Sequence, residues 1–246
     1  MWRKNSVVKP SPLVTFVWDD HFKAVWHLND TDDATVNQYH AINYATNPAE
    51  GLIGGAFDFR KDSSSYVDTP ENLKGYGIEN KLTLSCWFKS REPSPSLQIL
   101  TEDGKSAGDD SIYLGIRETS CYVQVYASSR KNIDSLPIDP IGTVWHYVAL
   151  VYDGSRVKFY FDAEEMWNEP LTGMVINSNA RLQLGCRPDG ASYFFDGIMD
   201  EVRVSSVGRS EDWIWACWQN QGANNTFNSY GKIVSQVNKG AIFILR

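Results

Sequence analysis

No run of this sequence stays apolar long enough to cross a bilayer, which takes roughly 20 residues of helix, so a helical membrane span is excluded. A basic stripe is also missing: 23 Lys and Arg stand against 30 Asp and Glu, for a formal charge of −7. Nucleic-acid binding needs a positive footprint, and that class of function is set aside. The first residues, MWRKNSVVKPSP, are basic but lack the apolar stretch that a secretory signal requires. The chain is then either cytoplasmic or a piece of a longer exported protein. The cysteines Cys86, Cys121, Cys186 and Cys217 form no CxxC pair, which argues against a zinc site of the usual spacing. Cys86 and Cys121 lie in strand-like runs, where a buried thiol acts as a small apolar residue, so free thiols are expected. GIRETS and GKSAGDDS lack the strand, loop and helix context that a phosphate-binding loop or a nucleophile elbow requires. No repeat of fixed period is visible, which disfavours a propeller or solenoid.

What is present is a succession of short alternating runs in a chain of 246 residues, enough for one large all-β domain or two small ones. Strands are predicted at 23–28, 55–60, 65–69, 82–90, 96–100, 111–117, 121–127, 144–152, 156–162, 181–186 and 198–205. Turn residues separate them, at 54–55, 153–155 and 187–190. Many short strands at this spacing predict a two-sheet antiparallel sandwich or a barrel. One helix is predicted near 210–221. Ser210 is its N-cap, Glu211 and Asp212 occupy its first turn, and Gly222 stops it. Ile214, Cys217 and Trp218, extended by Trp213, form an apolar stripe expected to close one end of the sandwich. The tail GKIVSQVNKGAIFILR holds one or two further strand candidates.

The segment FDGIMDEVRV, 195–204, poses a problem. By strand alternation Asp200 shares a face with Ile198, Val202 and Val204, opposite Met199, Glu201 and Arg203. A carboxylate on an apolar face must be paired, hydrogen-bonded or metal-bound. The partner is a cation, an Arg or a set of backbone amides. Asp58 and Asp196 read as turn or surface carboxylates.

Four ordered stretches, GGAFDF…SYVDTP, LTLSCWFK, TVWHYVALVYDGSRVKFYFD and FDGIMDEVRV, resemble the laminin-G-like, concanavalin A-like jelly rolls over roughly 22–207. VWDDHFKAVWHLND resembles the junction found where such a module follows another domain in bacterial exported proteins. RSEDWIWACWQNQ resembles its closing helix. The resemblance implies a jelly roll at 22–207, a linker at 1–21, and a closing helix with C-terminal strands at 208–246. It implies an extracellular or surface setting. It also implies a structural calcium held by Asp200 with main-chain carbonyls near Asn29 and at Gly54–Gly55, a ligand set suited to a hard cation. Two positions depart from the family pattern: Ala163 stands at a hairpin turn where Gly is usual, and Asn37 stands where an Asp is usual.

The related sandwiches include glycan hydrolases and lyases, but Glu-x-Asp-x-x-Glu is missing. Retaining hydrolysis needs two carboxyls about 5 Å apart. The acidic run DAEEMWNE, 162–169, reads as a solvated hairpin turn, and the four histidines form no catalytic set. Non-catalytic recognition of glycan or protein, by a monomer, is the expected function. The runners-up are a glycan-processing enzyme and an architectural spacer. In CYVQVYA, Tyr122, Gln124 and Tyr126 alternate with apolar residues and should face outward, with Tyr113 and Arg117 beside them. They form either a ligand surface or ordinary cross-strand packing.

Overall fold

The computed structural model describes residues 17–104, 111–176, 178–188 and 192–222. The strand candidates of the tail lie outside these, as does part of the loop 101–110. Fifteen strands are described: β1 Phe22–Trp26, β2 Ile42–Tyr44, β3 Asn47–Glu50, β4 Gly55–Phe59, β5 Tyr66–Asp68, β6 Leu82–Ser90, β7 Gln98–Glu102, β8 Ile112–Arg117, β9 Ser120–Tyr126, β10 Arg130–Pro137, β11 His146–Tyr152, β12 Arg156–Phe161, β13 Glu164–Pro170, β14 Gln183–Leu184 and β15 Gly197–Ser205. They build two antiparallel sheets. One runs β13-β12-β11-β6-β15-β4-β3, with β1 also on β15, and the other runs β10-β9-β8-β7-β14-β5-β2.

The sheets enclose one core. Leu84, Cys86 and Phe88 of β6 and Val148, Leu150 and Tyr152 of β11 meet Ile112, Leu114 and Ile116 of β8 and Cys121, Val123 and Val125 of β9. Alternation along β9 therefore sorts as its sequence predicts. All four cysteines are free thiols. Burial pushes Cys86 and Cys121 up to about 12, so both stay protonated and behave as apolar residues.

The helix α1, Glu211–Gly222, begins at Ser210, whose hydroxyl accepts the Trp213 amide at 3.2 Å. Its predicted stripe is used, but not at the end of the sandwich. Ile214, Trp213, Cys217 and Trp218 lie on Trp87, Tyr147, Ala149, Val151 and Tyr160, on the outer face of the eight-stranded sheet. Trp87 donates its indole N–H to Gln221 Oε1 at 2.6 Å. This second apolar layer explains why β6 and β11 read as near-continuous hydrophobic runs: both of their faces are buried.

DAEEMWNE is not a solvated turn beyond its first two residues. Asp162 and Ala163, at φ 48° and 67°, make the two-residue turn between β12 and β13, and 164–170 is an edge strand. Ala163 thus occupies the left-handed region where glycine is strain-free. Ala163→Gly is expected to stabilise the fold by about 1 kcal/mol and raise the melting temperature by about 2–4 °C, measured by calorimetry.

His146 follows from the same turn. Its Nδ1 lies 2.7 Å from Asp162 Oδ2 and its Nε2 lies 2.7 Å from Ile141 O. Burial would lower its pKa, but the two acceptors outweigh that and the net shift is upward. A raised folded-state pKa gives stability that is full below the ordinary value of 6.5 and fades as pH rises through the folded value. His146→Gln should therefore cost more at pH 5.5 than at pH 8.5, read from urea midpoints.

Candidate functional site

Asp200 is fully buried, though not for the reason its sequence parity implies. β15 carries a bulge between Asp200 and Arg203, with Glu201 left-handed at φ 53°. The extra residue reverses the alternation. Met199 enters the core together with Val202 and Val204, while Ile198 is half-exposed. Asp200, register partner of Trp87, faces outward. It is covered there by the loop 51–55, whose Leu52 joins the apolar layer under the helix. Glu201 and Arg203 are likewise not a plain solvent face. Glu201 is 2% exposed and holds His27 Nδ1 at 2.5 Å and Arg203 Nη2 at 2.5 Å.

Asp200 Oδ2 accepts the Ile53 amide at 3.0 Å, so one of the foreseen partners, a loop amide, is present. Oδ1 is buried with no hydrogen-bond donor. Burial pushes the carboxyl up to about 6, opposed by the Ile53 amide and reinforced by the charge of Glu201. Gly51 closes the pocket: a Cβ there would stand 2.6 Å from Asp200 Oδ2 and 2.9 Å from Gly55 O. A Cβ on Gly55 would in turn stand 2.9 Å from Asn29 Cβ. Gly55 thus lies against Asn29, and Gly51, which the sequence reading missed, lies against both Gly55 and Asp200. Among the described residues no three His, Cys, Asp or Glu side chains converge in a metal-holding group. An ion here would rest on one carboxylate, main-chain oxygens and water. The buried Oδ1, which has no hydrogen bond, is the carboxylate atom that could meet a hard cation.

The other acidic candidates are structural. Asp58 and Asp196, expected at the surface, are each 8% exposed. Both pair with Arg91, Asp196 at 3.0 Å, and Arg60 adds a 2.8 Å contact to Asp58. Asp33 was missed altogether: it accepts the amides of Val25, Thr35 and Tyr39 and fixes the early loop. In that loop Asn37 donates to Lys23 O at 2.9 Å.

On the seven-stranded sheet, register aligns Gln124 of β9, Tyr113 of β8, Glu102 of β7, Gln183 of β14 and Asp68 of β5 in one row on the face away from the core. Tyr122 and Tyr126 are half-exposed on that face. Arg130 lies over the Tyr126 ring, 5.4 Å from its centroid. Gln124 and Tyr113 do not present themselves as expected; they are 1% and 5% exposed. Tyr113 packs on Tyr122 with ring centroids 4.4 Å apart, and burial raises its pKa. Arg117 donates to Asp134 O at 2.9 Å. Glu102, fully buried, faces Arg187 Nε at 3.3 Å. This closed centre divides the face into two open ends.

A two-sheet jelly roll with one sheet face capped by a helix and the other lined by polar and aromatic groups defines the lectin-like class of sandwich. The family model of the concanavalin A-like lectin/glucanases superfamily matches residues 61–215, and the chain belongs to that superfamily. No curated protein matches the chain. Among solved structures, domain 4 of AbnA, an extracellular arabinanase from Geobacillus stearothermophilus determined in complex with arabinotriose, superposes with a TM-score of 0.65 at 19% identity. That match covers 80% of this chain and 98% of the domain. The binding domain of Paraclostridial Mosquitocidal Protein 1 gives 0.65 at 8% identity, over 82% of this chain and 52% of that one. The binding domain of botulinum neurotoxin DC, in complex with rat synaptotagmin II, gives 0.63 at 11%, over 84% and 53%. The chain thus spans about half the length of these two toxin domains. At such identities the likeness is one of fold.

Proposed function

We propose that this chain is a non-catalytic recognition module that binds glycan through the open face of the seven-stranded sheet. We further propose that a structural calcium at Asp200 braces the sheet behind it and that the module belongs to an exported protein. The observation that carries the reading is the pair of open ends of this face, where Tyr122 and Tyr126 at one end and Asp68 and Gln183 at the other are part-exposed. Planar amides, carboxylates and aromatic rings on a sheet face match the hydroxyls and apolar ring faces of sugars. An extracellular enzyme domain and two toxin binding domains of the same fold support the recognition role and the exported setting.

Two features weigh against catalysis. Glu102 and Asp68, the carboxylates of the row, each face an arginine, Arg187 at 3.3 Å and Arg181 at 3.1 Å, which suits fixed anions rather than a general acid. Both ring nitrogens of His146 are engaged, leaving none to take a substrate proton. A glycan array with and without calcium is the test. Binding to a defined set of glycans, with no release of reducing ends, is the expected result. Hydrolysis that a point variant abolishes would overturn it.

A further inference from the structure

The strands β10 and β13, at one end of each sheet, approach each other across the sandwich. A cavity of about 500 Å³ opens between them, lined by Ile138 and Asp139, which follow β10, and by Phe161, Asp162, Glu164 and Met166 of the β12–β13 hairpin. Phe161 belongs to the core, and Ile138 and Met166 pack on its margin, so the walls are apolar. The acidic groups differ in what holds them. Asp162 is engaged on both oxygens, by His146 Nδ1 at 2.7 Å and by the Tyr147 amide at 2.8 Å. His146, the base in this lining, has its other nitrogen on Ile141 O at 2.7 Å. Asp139 and Glu164 are exposed, and among the described residues neither carboxylate has a hydrogen bond or ion pair. Glu164 is the register partner of Phe161 and so shares the side of the sheet that Phe161 turns to the core. The hairpin's own cations are held elsewhere, Lys158 by Glu165 at 3.3 Å and Arg156 by Asn168 at 2.5 Å. An apolar cavity therefore has an anionic mouth that these side chains leave uncompensated.

We propose that this cavity binds a primary ammonium group carried on an apolar chain, with the ammonium at Asp139 and Glu164 and the chain on Ile138, Phe161 and Met166. The site is separate from the glycan face and does not rest on that reading. Two requirements of different kinds select the ligand. The walls favour methylenes over hydroxyls, because burying apolar surface is the gain they offer. The two carboxylates can only accept, so they favour a donor that also carries positive charge. A carboxylate or phosphate would be repelled, and a neutral alkyl chain would leave the charge at the mouth unmatched. The volume lies within the roughly 300–1,000 Å³ of small-molecule sites. A free alkyl amine and a lysine side chain of a partner protein share this chemistry.

The test is NMR of the full chain with isotope-labelled methionine methyls, assigned through Met→Leu variants and titrated with hexylammonium chloride, 1-hexanol and sodium hexanoate. The Met166 methyl is expected to move saturably with hexylammonium, while Met174, at the surface, and Met199, in the core, stay in place. Hexanol and hexanoate should each bind at least about tenfold more weakly. Asp139→Asn and Glu164→Gln combined should weaken hexylammonium about tenfold, and the melting temperature should not change because both side chains are exposed and unpaired. Nα-acetyl-lysine methylamide separates the two sources: its binding at Met166 assigns the site to a partner's lysine, and binding of hexylammonium alone assigns it to a free amine. Hexanol binding as tightly as hexylammonium, or hexylammonium binding undiminished in the double variant, would overturn the ammonium site. A Met166 methyl that hexylammonium leaves unmoved would overturn the proposal altogether.

Discussion

Saturating metal-free protein with calcium is expected to raise its melting temperature by about 5–10 °C. A ligand at a hundred times its Kd adds about 2.7 kcal/mol, and a chain of this size gains about 2–4 °C per kcal/mol. Asp200 is where that gain would act. Its Oδ1 is buried without a donor, and burial has pushed its carboxyl up to about 6. Sign follows from the shift. With an unfolded value of 3.8, the unfolded chain ionises first, so the metal-free protein loses stability from this group between pH 3.8 and about 6. A cation on the carboxylate should erase that loss. Asp200→Asn should weaken the calcium response and Asp200→Ala should abolish it, while both variants lose the pH 3.8 to 6 dependence. Equal melting temperatures for metal-free and calcium-saturated protein, with no metal in elemental analysis, would mean that Oδ1 is instead relieved by protonation or water.

The strands missed in the sequence have one property in common. β2, β3, β10 and β13 end the two sheets, whereas β1, which also pairs with β15 alone, is buried and was read. INY and NPAE are almost wholly exposed, and RKNIDSLP and EEMWNEP bury few residues. An edge strand has a neighbour on one side only and is kept polar against stray pairing, so it shows no apolar alternation to read. The interior strands, flanked on both sides and packed on at least one face, were legible; 82–90 is recovered residue for residue. The candidate ligand face was legible in parity but not in exposure. Alternation says which way Tyr113 and Gln124 point; it cannot say that Glu102 and Arg187 close the middle of the sheet around them.

The bulge in β15 was illegible for a different reason: alternation assumes one residue per register step, and a left-handed residue inside the strand breaks that assumption. Its place is physically determined. Residues Gly197–Met199 pair with β4, whereas Val202–Ser205 pair with β1, so the strand changes neighbours across the bulge. Glu201 holds the junction with its charge, taking His27 from β1's end at 2.5 Å and Arg203 from β15 itself. Burial alone would raise the Glu201 pKa, but the His27 and Arg203 contacts bring it below the usual range.

Removing Glu201 should therefore be among the most damaging single changes in the eight-stranded sheet. Glu201→Ala strips the partner from a largely buried Arg203 and a part-buried His27, a loss worth about 3–5 kcal/mol when one side of a buried ion pair is deleted. Glu201→Gly loses the same charge but relieves the backbone at φ 53°, and should be milder than Ala by about 1 kcal/mol. Glu201→Gln keeps an acceptor oxygen without charge and should fall between Gly and wild type. Urea midpoints at constant m-value give the order directly. A cost for Ala below about 1 kcal/mol, within the range of exposed ion pairs, would show that the strand switch is held by core packing at Met199 and Val202 and that the triad merely decorates it.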